Sequence, residues 1–344
     1  MSDSTHPTSG FSTAAPPATV AADVEPQNPH HAIARTRPQS RARAIRHSQF
    51  SIPHFPVPVS GVCREADREL QDQTTRYCQV TFKLSTELMG NADTQNMIDF
   101  VERQTGYRVT VDVISGINEH AQMISARPEA PAHLIRVNAD RRQHADYIVA
   151  VQCGMLLVLW SDPTKVPGMA FEKSKCDFLA GKWAKTKQLA ALPADTAART
   201  ASFYVESLVR QVSSNPLEIR VANLCYESCP SLRDMQAESF NAHLRGISEA
   251  FSPKIKELAP PDVFQKNMAM NAAVALNWAR LSGSRMCVLP YESTGHVAAG
   301  QKLLDAVDAA SAHTSANHMQ TVDTWAEQLS LRTLYRWELS NRRQ

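Results

Sequence analysis

Glycine is scarce in this 344-residue chain, with 12 in all, and none falls into the G-x-x-x-x-G-K or G-x-G-x-x-G spacing that lets backbone cradle a phosphate. Nucleotide chemistry of the P-loop or Rossmann kind is therefore not expected. A G-x-S-x-G nucleophile elbow is missing too. The longest apolar run, 147–160, is too short to span a bilayer and is interrupted by Gln152, so no membrane partner is expected. Charge of one sign is also lacking: 36 basic residues face 34 acidic ones, which removes any bulk electrostatic preference for nucleic acid or lipid. The seven cysteines are odd in number and irregularly spaced, which argues against a disulfide framework and fits a reducing compartment, the cytoplasm. The stretch MSDSTHPTSGFSTAAPPATVAADVEP has no basic segment followed by an apolar one, so a cleaved secretory signal is not expected.

Residues 1–60 are rich in Ser, Thr, Pro, Ala and His and poor in large aliphatics. Such a segment buries too little apolar surface to offset the entropy of ordering, and a disordered tail is expected there. Within it, Arg35, Arg37, Arg41, Arg43 and Arg46 form an arm without acids that would suit phosphate contacts and hence nucleic acid. The arm lacks interleaved aromatics, which favours a solvated linker. An export signal for delivery into another cell would have the same composition.

Periodicity then predicts a strand at 77–84, a helix at 92–105 capped by Asn91 and stopped by Gly106, strands at 107–114 and 133–138, and helices at 141–160 and 170–186. Beyond 191 the pattern becomes helical, with segments expected at 196–213, 231–250, 261–282, 296–311 and 319–338, and one short strand at 285–291. Pro261 and Gly283 bracket the third of these helices.

The stretch 133–155, HLIRVNADRRQHADYIVAVQCGM, carries a strand, a charged turn and a long apolar helix. Together with the helix and strand before it, this order resembles the core of the IrrE/ImmA-like zinc metallopeptidases, compact gluzincins. Their active helix reads close to F-T-L-A-H-E-L-G-H, and here Tyr147, Ala150 and Gly154 match while Val151, Gln152 and Met155 stand where His, Glu and His belong. The intact motif works because His at i and i+4 share one helix face as zinc ligands and the Glu between them deprotonates the metal-bound water. Valine has no lone pair, a thioether does not suit zinc in a nitrogen and oxygen site, and a glutamine amide does not titrate in the useful range. The resemblance implies Glu172, with Phe178 six residues on, as a relic of the third ligand. It covers about 90–185 and implies a zincin-like scaffold without catalytic residues, metal or cofactor.

Other constellations are weaker. Cys153 and His144 lie nine residues apart, which at about 100° per residue places them on opposite helix faces. Cys225 and Cys229 lack the C-x-x-C redox spacing. Glu172 and Cys176 share a face, but nothing in the sequence supplies a third ligand. Phe264, Met268, Met270 and Trp278 would line a ligand groove or fill a core, and helical spacing favours the core. Arg332, Arg336, Arg342 and Arg343 suit a helix C-terminus through its dipole.

The sequence thus predicts an α+β protein: a disordered tail (1–60), a degenerate metallopeptidase-like, zincin-like α+β domain (61–190) and an all-helical C-terminal domain (191–344). The expected function is non-catalytic binding or regulation through a protein or peptide partner. A metallopeptidase with relocated ligands and a nucleic-acid binder using the arginine arm remain as alternatives.

Overall fold

A computed structural model describes residues 90–341 apart from 118–119, 128, 163, 251–255 and 258, with backbone alone for 243–250. The arginine arm, the expected disordered tail and the expected strand at 77–84 lie outside the described residues.

Helix α1 (Ala92–Thr105) begins where Asn91 Oδ1 accepts from the amides of Asp93 and Thr94, at 2.9 and 3.4 Å, and ends where Gly106 turns left-handed at φ 74°. The chain then forms β1 (Arg108–Ile114), β2 (Ala121–Ile124) and β3 (Ala132–Asn138). They make one sheet of order β1-β3-β2, in which β1 runs parallel to β3 and β2 pairs with it antiparallel at the edge. Along β3 the alternation buries His133, Ile135 and Val137. His133 is satisfied where it lies: Nδ1 accepts from the Ala126 amide at 3.1 Å, which makes Nε2 the donor toward Thr105 Oγ1 at 3.2 Å.

Asn138 Oδ1 accepts from the Asp140 amide and starts a 3₁₀ turn, Ala139–His144, that leads into α2 (Ala145–Leu159). Only Asp146 of that helix is not buried, because α1, β3 and two later helices surround it. A helix apolar on all sides belongs inside a core. The helix expected at 141–160 is thus a 3₁₀ turn followed by a shorter α-helix.

A second small sheet comes from segments that the sequence reading placed partly in helices and otherwise left unassigned. β4 (Lys165–Phe171) precedes α3 (Lys173–Ala184), and β5 (Tyr335–Asn341) pairs with it antiparallel, Lys165 opposite Asn341 and Phe171 opposite Tyr335. The helix expected at 170–186 therefore starts at 173, and the one expected at 319–338 ends at Gln328 in α10 (Ser315–Gln328). The cause at the second site is Ser330, at φ 57°, which breaks the helix so that Tyr335, Trp337 and Leu339 can alternate along a strand. The C-terminal region is helical but closes on a strand, so it is not all-helical.

After a short helix α4 (Lys187–Ala190), α5 (Ala194–Ser228) runs 35 residues, well past the 213 at which it was expected to stop. It passes straight through Pro216, whose missing N–H normally ends a helix. The reason lies in its two halves: Ala201, Val205, Leu208 and Val212 pack into one core, whereas Leu217, Val221 and Cys225 pack around α2 in another. The remaining helices are α6 (Arg233–Ala250), α7 (Pro261–Ser282), α8 (Leu289–Ser293) and α9 (Val297–Ala309). Pro261 and the left-handed Gly283 bound α7 as expected, and the segment expected as a strand at 285–291 is a 3₁₀ turn followed by α8.

Gly154 marks the crossing of α2 and α5, where a Cβ would stand 2.8 Å from Val221 Cγ1. Gly154→Ala is therefore expected to lower the unfolding free energy by about 1–2 kcal/mol, as overpacking does. An unchanged urea midpoint would mean that the two helices separate freely.

Candidate functional site

The motif positions come first, because the resemblance ties chemistry to them. Val151, Gln152 and Met155 are buried in the middle of α2, and Gln152 Nε2 has no hydrogen-bond partner among the described residues. Apolar side chains from α1, the sheet and α5 pack around this helix. Valine, a glutamine amide and a thioether in such a place do not fit a hydrated zinc ion, which needs charged or imidazole ligands and an open coordination position. Glu172 is not brought to them. It caps the N-terminus of α3, where its Oε1 accepts from Arg336 Nη1 of β5 at 2.8 Å, and both α2 and α3 pack on α5. Among the described residues no group of three or more His, Cys, Asp and Glu side chains is arranged to hold a metal.

The cysteines are equally settled. Burial pushes the Cys153 thiol far up, away from the thiolate form a nucleophile needs. Cys176 is raised to about 11, by burial first and by Asp177 second, and its Sγ donates to the Leu334 carbonyl at 3.4 Å. Cys225 and Cys229 are free thiols buried at the end of α5, and a hydrogen bond between them, with burial second, drives the Cys225 thiol up. Of the C-terminal arginines, Arg332 pairs with Asp323 at 3.2 Å and Arg336 with Glu172, while Arg342 and Arg343 lie outside the described residues. Met268, Met270 and Trp278 fill cores, as their helical spacing suggested.

Phe264 is buried in the same core as Met268 and Trp278 and also has a second role. It forms one wall of a cleft between α5 and α7 that encloses about 420 Å³ of space, part of it open to solvent. The opposite wall is built from Phe203 and Tyr204 of α5. Phe203 is 53% exposed, a large apolar ring left facing water at the rim. Ser207 and Gln211 from α5 and Asn267 from α7 also line the cleft and supply its polar groups. Gln211 is only 4% exposed, and its Oε1 has no donor among the described residues. Among the described residues no lining side chain carries a charge. An apolar cavity of a few hundred Å³ with a few convergent polar groups is the usual form of a binding site.

Sequence reasoning missed this cleft because its walls come from helices more than fifty residues apart in the chain. The available signal was F-Y-x-x-S-L-x-x-Q over 203–211, a serine and a glutamine placed one turn apart on an otherwise apolar stripe. No protein-family model, no curated protein and no solved structure matches the chain. None of the helices among the described residues is long and apolar enough to cross a membrane.

Proposed function

We propose that the chain is a non-catalytic recognition protein, built on a metallopeptidase-like scaffold whose motif helix has become core, and that it binds a protein or peptide partner. The observation that carries this reading is the contrast between two places. At Val151, Gln152 and Met155 there is neither a ligand set nor access, while the α5/α7 cleft offers apolar walls, an exposed ring and a neutral acceptor, Gln211 Oε1, without a donor among the described residues. The order helix, strands and buried helix supports the scaffold part of the reading.

The test has two arms on the full chain. Selection from a displayed random peptide library is expected to enrich sequences that bind, and incubation of those peptides with the protein is expected to return them uncut. Glu172→Gln is expected to change neither result, since the carboxylate serves the Arg336 contact. Peptide hydrolysis that disappears in Glu172→Gln would overturn the proposal in favour of a peptidase with relocated ligands.

A further inference from the structure

We infer that the α5/α7 cleft receives one uncharged aromatic side chain of a bound peptide together with the backbone amide beside it. The inference rests on the peptide-recognition reading and adds the chemistry of the occupant.

The charge balance of the cleft comes first. With no Lys, Arg, Asp, Glu or His side chain lining the cleft among the described residues, an ionised group placed inside would lose its hydration and gain no counter-charge from them, which is strongly unfavourable. The ligand portion that enters is therefore neutral. Shape comes next. Phe203 and Tyr204 lie with ring centroids 6.2 Å apart and tilted by 52°, and Phe264 stands opposite on α7 with His296 edge-on behind it at 6.0 Å. Rings at such angles accept a further ring edge-to-face or offset, the arrangements that the aromatic quadrupole favours. The space of about 420 Å³ includes open solvent, so the room between the walls themselves is smaller and suits one side chain better than an extended segment.

The polar groups then decide what accompanies the ring. Gln211 Oε1 is an acceptor without a donor among the described residues, and a buried unpaired acceptor is costly unless something supplies the missing bond. Asn267, across the cleft, accepts from Asn271 Nδ2 on its Oδ1 at 3.4 Å, and its own Nδ2 adds a donor; the Ser207 hydroxyl both donates and accepts. An acceptor and donors held side by side match the N–H and C=O of one amide. The match survives rotation of the Gln211 carboxamide by 180°, because an amide meets either end. A bare hydrocarbon would leave Gln211 unpaired, and a carboxylate would lose its hydration with no counter-charge among the described lining side chains.

The experiment is saturation-transfer NMR with the full chain and N-acetyl-L-phenylalaninamide, for which a dissociation constant on the order of a millimolar is expected for a ligand of this size. N-acetyl-L-phenylalanine, which replaces the terminal amide by a carboxylate, and N-acetyl-L-lysinamide, which replaces the ring by a cation, are each expected to bind at least ten-fold more weakly. Gln211→Leu should weaken the phenylalaninamide about ten-fold while leaving the melting temperature unchanged or higher, a combination that a purely structural glutamine would not give. Phe203→Ala, at an exposed position that folding does not need, should weaken it several-fold, and Phe178→Ala, an exposed ring outside the cleft, should have no effect. Equal binding of the lysinamide, or unaltered binding in Gln211→Leu, would overturn the inference. If the peptide library enriches binders that ignore both cleft variants, peptide recognition stands and this occupant falls. If the small amide binds as expected but no peptide is enriched, the cleft chemistry stands and peptide recognition falls.

Discussion

Replacing Arg220 with methionine is expected to lower the unfolding free energy by about 3 kcal/mol, seen as a lower urea midpoint with an unchanged slope. Arg220 sits on α5 at 2% exposure, and no carboxylate forms an ion pair with it among the described residues; Asp308 acts on it only through its field. Its guanidinium instead donates to backbone. Nη1 reaches the carbonyls of Ala310 and Ala312, and Nη2 reaches Thr321 Oγ1 at 2.7 Å and the Asn317 carbonyl at 3.5 Å. These acceptors belong to the end of α9, the connection that follows it and the start of α10, so one side chain staples a helix–helix connection onto α5. Methionine recovers the desolvation of the charge but leaves buried carbonyls without donors, at about 1–3 kcal/mol for each that water cannot reach. The recovered term offsets part of that loss, which is why the expected cost is well below the sum. Arg220→Lys keeps the charge and loses the planar fork, and it should recover less than half of the loss. Full recovery by lysine would mean that charge rather than geometry holds the connection.

The same contrast between local and distant causes explains what was legible in the sequence. Helices α1 and α7 were read to the residue because their signals are local: Asn91 and Gly106 for one, Pro261 and Gly283 for the other. β2 escaped notice because four residues, AQMI, give only one period of alternation. β4 escaped because Pro167 and Gly168 mask a strand that needs a partner more than 160 residues away in the chain. The end of α10 was overrun because the break falls at a serine, where a left-handed backbone has no glycine to announce it. Pro216 misled in the other direction. Locally it ends a helix, but burial of Leu217, Val221 and Cys225 against α2 carries α5 onward. In the site, the lack of zinc-ligating and titrating side chains at Val151, Gln152 and Met155 was readable from residue types alone, whereas the cleft depends on which faces of α5 and α7 meet and has no contiguous signature.

The second large effect is on pH dependence, and its sign differs between variants. His318 on α10 is buried, its Nδ1 has no partner among the described residues, and burial, with Arg220 second, pulls its imidazole down to about 3. In the unfolded chain it titrates near 6.5. The neutral ring therefore contributes stability that is complete above about 6.5 and is lost as the pH falls toward 3, because the unfolded state binds the proton first. Glu218 acts oppositely. Burial raises its carboxyl from about 4.5 to about 7, so its contribution is complete below about 4.5 and is lost as the pH rises through 7. Between about 4.5 and 6.5 the two slopes oppose, so the contributions of His318 and Glu218 nearly cancel there. Below 4.5, of these two groups only the histidine is still changing, and its contribution should fall by about 2 kcal/mol on the way to pH 3, at roughly 1.4 kcal/mol per unit. In Glu218→Gln the fall should begin near 6.5. In His318→Gln the sign should reverse, with stability rising as the pH is lowered from 7 to 4.5. His120, His296 and His313 are also lowered, chiefly by burial, and Asp112 is raised by burial; all four stay in both variants, so differences between urea midpoints measured across pH isolate the two groups. Parallel curves for the full chain and His318→Gln would mean that water reaches the imidazole in the folded state, and the packing of α10 against Arg220 would then have to be looser than its hydrogen bonds imply.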